Sequence, residues 1–299
     1  MPNWNSVLDQ IQTKGSASDS IRRQYLKDLS DYTGRNTIIY YSNFLQKTNI
    51  DQDFAIHQSV NDNDKNGFMA MISNMEEKSL GLDLILHTPG GNVAATESLV
   101  DYLKEIFGTN IRAIVPQIAM SAGTMISCSC SEIIMGKHSN IGPIDPQIYG
   151  RPAHAVLQEF NQAAKEISED QSKASVWMPI IAQYTPTLIG QCQNAIEWSE
   201  EMVTQWLQEN MFSDNNNPKA DALEVVRYLG SNTETKSHSR HISAKKAQSL
   251  GLKISYLEND SKLQDLVLSL HHATIHTLSA TNTIKIIENQ NGISYIQQY

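Results

Sequence analysis

Ser121 lies in Ala119-Met120-Ser121-Ala122-Gly123-Thr124, just after the apolar run Ile111–Val115 and just before the apolar Met125-Ile126-Ser127-Cys128. A serine at such a strand-to-helix junction keeps its hydroxyl exposed, and the free N–H groups of the first helical turn, Ala122 among them, point at whatever binds there. About thirty residues earlier, Thr88-Pro89-Gly90-Gly91 closes another apolar run, Leu82–His87. The glycines leave no Cβ to block access, so Gly91 can offer a second N–H from that turn. Two N–H donors beside a hydroxyl form an oxyanion hole, which is what acyl transfer needs as its tetrahedral intermediate gains negative charge.

A serine hydroxyl is a weak nucleophile until a neighbouring base takes its proton. The chain carries nine histidines. His87 precedes the Thr-Pro-Gly-Gly turn and could pack beneath it. His154 opens a helical stretch, and Lys165 lies later in the same stretch. His238 and His241 sit in a polar strip, Ser237-His238-Ser239-Arg240-His241, between two helical segments. His272 and His276 have metal-ligand spacing, but no His-Glu-x-x-His pattern and no third ligand accompany them. Residue types and spacing alone leave the base open.

Three strands must position these groups: Leu82–His87, Ile111–Val115 and residues 132–136, the last opening into Asn140-Ile141-Gly142-Pro143-Ile144-Asp145-Pro146-Gln147. Each ends in a turn rich in Gly, Pro, Ser or Asp, and open α/β sheets collect chemistry at the carboxyl ends of their strands. The stretch 93–106 carries an apolar face at helical spacing, so two βα units in a row imply parallel pairing and right-handed crossovers. Before this core, residues 4–33 have helical periodicity with a break at Gly15-Ser16, and residues 37–41 form a strand. Asn61 to Gly67 begins like a calcium loop, but Ser73 stands where the bidentate Glu should be; a solvated turn capping a helix over 68–78 is expected instead. After Pro152 helical patterns dominate, over 153–168, 186–210, 220–229, 243–250 and 263–280. A strand is expected at 253–256, and a terminal hairpin joins 285–287 to 293–296 around Asn291-Gly292. The stripe Trp198, Met202, Trp206 reads as helix core. The organisation expected is an N-terminal helical segment (1–36), a catalytic core (37–150) and a mainly helical extension completing the domain (151–299).

Hydrophobic residues make up 40% of the 299 and charged residues 18%, enough for a substantial core. A net charge of −9 argues against nucleic acid as an obligatory partner. Cys128, Cys130 and Cys192 are too few for a disulfide framework and are expected to be buried free thiols in a reducing compartment. No stretch approaches a membrane span, and Met1-Pro2-Asn3-Trp4-Asn5 has no signal-peptide character, so a cytoplasmic location is expected.

His87-Thr88-Pro89-Gly90-Gly91, Met120-Ser121-Ala122-Gly123-Thr124 and Gly142-Pro143-Ile144-Asp145-Pro146-Gln147 together resemble the serine dehydrogenase proteinase family. That family belongs to the Clp-protease/signal-peptide-peptidase superfamily of serine peptidases. The resemblance runs on through Ser237-His238-Ser239-Arg240 and Leu250-Gly251-Leu252 to His271-His272. It implies a crotonase/ClpP-like α/β fold and a peptidase that hydrolyses peptide bonds through an acyl-enzyme without a cofactor. The triad it implies is Ser121 as nucleophile, Asp145 as orienter and His238 as base, with Gly91 and Ala122 as the oxyanion hole. His154, Lys165 and His241 are the alternative bases; a lysine would make the site a Ser-Lys dyad of signal-peptide-peptidase type. A peptide or protein substrate and a homo-oligomer are further implications. Two other classes remain: an acyl-CoA hydratase or isomerase, which would typically rely on Glu bases, and an inactive binding or scaffold protein on the same fold.

Overall fold

The computed structural model describes Val7 and residues 18–48, 56–73 and 75–298. Helix Ser18–Thr33 lies within the helical region expected from the sequence; most of residues 4–17, including the break at Gly15-Ser16, fall outside the described residues. The strands run in chain order: β1 (Asn36–Ser42), β2 (Leu82–His87), β3 (Ile111–Val115), β4 (Ile118–Ala119), β5 (Glu132–Met135), β6 (Asn140–Ile141), β7 (Gln147–Ile148), β8 (Arg151–Pro152), β9 (Ile242–Ser243), β10 (Ile254–Tyr256), β11 (Thr283–Asn289) and β12 (Ser294–Gln298).

Seven of them form one sheet in the order β10-β5-β3-β2-β1-β11-β12. From β10 to β1 every pairing is parallel; β11 then pairs antiparallel with β1 and β12 antiparallel with β11. The strands of the expected core, β1, β2, β3 and β5, pair in parallel, and the C-terminal hairpin makes the central sheet of this α/β protein mixed. The terminal hairpin forms as its Asn291-Gly292 turn suggests, but it also docks on β1 and extends the sheet. The C-terminal half thus supplies both edges of the sheet as well as helices.

Both faces of the sheet are covered, which is why its strands read as continuous apolar runs rather than alternating ones. Successive side chains still go to opposite sides. Ile38, Tyr40, Leu84, Leu86, Ala113, Val115, Ile133 and Met135 join one core cluster, and Ile39, Tyr41, Ile85, Ile114 and Ile134 the other. The first face carries helices Val93–Phe107, Ala122–Cys128, Leu188–Glu209 and Pro218–Gly230; the second carries Ser18–Thr33 packed on Ser261–Ala280.

Two expectations need correction. The helix expected at 68–78 is Asn63–Ser73, and Asp64 in its first turn is buried rather than solvated. Its carboxylate is held by Lys285, from the far end of the chain, at 2.6 Å. A further helix, Ala174–Ile181, was not anticipated because Pro179 interrupts its pattern; it buries none of its residues.

Candidate active site

Ser121 occupies the N-cap position of helix Ala122–Cys128, with φ 50° and ψ −114°. A non-glycine residue in that region is strained by about 1–3 kcal/mol, so its surroundings must hold it there. They do so on both sides. Met120 N donates to Thr88 O at 3.0 Å, and Gly123 N donates to Met120 O at 2.7 Å. Thr124 Oγ1 donates to Ala119 O at 2.9 Å and accepts from Gly142 N at 2.9 Å, tying the Asp145 loop to the same helix. An N-cap serine ordinarily uses its hydroxyl to cap the helix. Ser121 makes no such bond, and its side chain lines a cavity of about 430 Å³.

Gly90 and Gly91 line that cavity too. A Cβ on Gly90 would come within 2.5 Å of Ser121 Cβ and 3.0 Å of Ala122 N, so the turn and the serine can adjoin only because residue 90 has no side chain. A Cβ on Gly91 would meet the Val60 backbone at 2.3 Å. Val60 bridges Gly91 in parallel fashion: its N–H donates to Gly90 O at 2.7 Å and its carbonyl accepts from Asn92 N at 2.9 Å. In such a bridge the flanking groups are engaged, and the central N–H points away from the partner strand. That leaves the Gly91 N–H directed away from Val60. Ala122, the first residue of its helix, has an N–H without an intrahelical acceptor.

Asp145 is buried in the Pro143-Ile144-Asp145-Pro146 turn, which is fixed by Ile144 N donating to Leu229 O at 2.9 Å. Its Oδ1 lies 2.8 Å from His238 Nδ1, and its Oδ2 accepts from Gln147 Nε2 at 3.0 Å. A carboxylate only accepts, so His238 Nδ1 carries the proton of this bond and Nε2 is left with its lone pair. His238 lines the same cavity as Ser121. The loop that carries His238 is closed by Arg240, whose guanidinium donates to Thr235 O at 3.1 Å and Glu234 O at 3.4 Å.

The structure thus brings Ser121, Gly91 and His238 to one cavity and joins His238 to Asp145 across 93 residues of sequence. His241 lines a second cavity of about 480 Å³, which shares Pro89 and His238 with the first. Lys165 is exposed on helix Ala153–Glu169 and is not part of either wall. His154 lies at the start of the same helix, close enough to Glu200 to offset part of the upward push that burial gives this carboxyl's pKa.

Trp198 corrects an expectation. Met202 and Trp206 are core, but Trp198 is 40% exposed, lines the cavity and donates from Nε1 to Glu97 Oε1 at 3.2 Å. Periodicity placed all three on one helix face; only the ends of neighbouring elements decide where that face leaves the core. With Val93, Met125, Ile144 and Ile148, Trp198 makes the cavity wall largely apolar. His87 is fully buried, its ring tilted against those of Phe44 and Tyr41, and burial pushes its pKa down to about 3. Cys128, Cys130 and Cys192 are buried free thiols, the first two pushed up to about 12 by burial. Among the described residues, no three His, Cys, Asp or Glu are grouped to hold a metal, and no helix is long and apolar enough to cross a membrane.

A sequence model of the ClpP-like SDH-type serine proteinases matches residues 22–270. The chain belongs to this family. It is similar to two proteins of Methanocaldococcus jannaschii, both described as uncharacterized. It is 30% identical to MJ1495 over 60% of this chain and 53% of that protein. It is 35% identical to MJ0137 over 40% of this chain and 39% of that protein. The chain therefore matches about half or less of the length of either relative.

Proposed function

We propose that this protein is a serine peptidase that cleaves peptide bonds through an acyl-enzyme. Ser121 Oγ attacks the scissile carbonyl as its proton passes to His238 Nε2, and Asp145 stabilises the imidazolium through Nδ1–H. The Gly91 and Ala122 N–H groups hold the oxyanion. As the C–N bond breaks, Nε2–H passes its proton to the leaving amine. Water, deprotonated by the same Nε2, then attacks the acyl carbon and releases Ser121. The observation that carries this reading is the 2.8 Å His238–Asp145 bond beside a cavity that His238 shares with Ser121 and Gly91.

The apolar wall supports a substrate with an apolar side chain beside the scissile bond. A Ser-Lys dyad through Lys165 has no such support, because that lysine is exposed and outside the cavity wall. Crotonase-type crossovers, a cytoplasmic location and a homo-oligomer belong to the same proposal. The exposed apolar side chains Val176 and Met178 on Ala174–Ile181 support the oligomer.

Fluorophosphonate labelling tests the chemistry. Wild-type protein is expected to label at Ser121, and Ser121→Ala is expected to neither label nor hydrolyse peptides. An unlabelled wild type would leave the binding or scaffold alternative standing.

A further inference from the structure

Lys285 and Asp64 form an ion pair with both side chains out of solvent, 0% and 1% exposed. Two charges so deeply buried are a weak source of stability, because the desolvation penalty offsets most of their attraction. Apart from Tyr40 on β1, their other hydrogen-bond partners belong to one short segment. Lys285 Nζ donates to Asp64 Oδ1 at 2.6 Å and to Ser59 O at 2.9 Å. Asp64 Oδ2 accepts from Asn61 N at 3.0 Å and from Tyr40 Oη at 2.8 Å. The charges therefore clamp the backbone on either side of Val60. Ser59 itself lines the cavity that holds Ser121.

Val60 in turn fixes the Gly90-Gly91 turn through its two backbone bonds, at 2.7 and 2.9 Å, and its backbone occupies the space a Gly91 Cβ would need. An unbroken chain of contacts thus runs from β11, through residues 59–61, to the Gly91 N–H. Lys285 lies on β11 and Tyr40 on β1, in the antiparallel pair next to the parallel strands. The rigid sheet is therefore what the turn is referenced to. A hydrogen-bond donor aimed at a developing oxyanion needs this, since its contribution depends on being held in place before charge appears.

We propose that the Lys285–Asp64 pair is a positioning device for the oxyanion hole, holding the Gly91 N–H in register with Ser121 through the clamped segment 59–61. The proposal rests on the peptidase reading above. Lys285 and Asp64 touch no substrate; they act through Val60. Removing them is therefore expected to weaken binding of the tetrahedral state while leaving ground-state binding in place.

The test is the double variant Asp64→Leu/Lys285→Met, which replaces the pair by apolar groups and leaves no unpaired buried charge. Folding is checked by circular dichroism and thermal denaturation. The expected result is kcat lowered ten- to a hundred-fold, KM within two-fold, and the Ki of a peptide boronate raised by the same factor as kcat/KM falls. Tyr40→Phe, which keeps both charges and nearly the same volume, is expected to lose two- to five-fold in kcat with the same pattern. Wild-type kcat in the folded double variant overturns the proposal. If the double variant does not fold, wild-type kcat in Tyr40→Phe overturns it. A fall carried by KM alone, with the boronate Ki unmoved, overturns it as well. A wild-type chain without peptidase activity sinks the peptidase reading instead, and so separates the two failures.

Discussion

Replacing Asp145 by Asn changes no volume and few contacts, yet it is expected to remove nearly all activity. Asp145 Oδ2 accepts from Gln147 Nε2 at 3.0 Å, and Oδ1 faces His238 Nδ1 at 2.8 Å. An asparagine must put its NH2 on one of these two sides. Facing Gln147 it would set two amide donors against each other. Turning Gln147 over does not help, because the same Nε2 also approaches the Asp145 main-chain oxygen at 3.4 Å, where Oε1 would meet another acceptor. The favoured arrangement points the introduced NH2 at His238. Nδ1 must then accept, the ring proton moves to Nε2, and the histidine can no longer take the Ser121 proton. A wrong tautomer in a triad lowers kcat by about 10⁴-fold, or about 5.5 kcal/mol of barrier at ~1.4 kcal/mol per tenfold. The assay is kcat on a fluorogenic peptide together with the fluorophosphonate labelling rate, with thermal denaturation as the fold control. Asp145→Asn/Gln147→Leu supplies the sharper check. Without the competing donor the introduced amide oxygen is free to face His238, so the double variant should recover ten-fold or more over Asp145→Asn. Asp145→Asn with more than a tenth of wild-type kcat, or no recovery in the double variant, would refute the tautomer argument.

Three further outcomes are expected. Ser121→Gly should lose activity but raise the melting temperature: relief of about 1–3 kcal/mol of backbone strain exceeds the roughly 0.5–1 kcal/mol entropic cost of a glycine. Lys165→Met should leave kcat within two-fold, whereas His238→Ala should lower it by orders of magnitude; the reverse pattern would replace the triad with a serine–lysine dyad. His87→Leu should flatten the acid side of the stability profile. The buried His87 has a folded pKa of about 3 against an unfolded value near 6.5, so its neutral form contributes stability above the unfolded value that is lost as pH falls toward 3. Urea unfolding at pH 7, 5 and 4 reads the difference, and identical pH dependence in the two proteins would count against that assignment.

By itself the sequence determined what is local. Strands β2 and β3 and helix Val93–Phe107 follow from apolar runs, periodicity and Gly or Pro punctuation, and their edges fall within a residue or two of expectation. The Gly90-Gly91 turn and the Ser121 junction were legible for the same reason: a glycine requirement and a strand end are properties of a few neighbouring residues. The choice of His238 among the possible bases needed a family resemblance, because nothing near residue 238 encodes a partner at residue 145. Tertiary structure alone decided the contacts that span the chain. It set β11 beside β1, turned Trp198 from the helix core into the cavity wall, and drew the acidic turn at Asp64 inward onto Lys285, 221 residues away. Periodicity reports which face of an element is apolar. Whether that face, or a charge beside it, meets solvent, a cavity or an opposite charge depends on which distant element packs there, and that is settled only when the sheet closes.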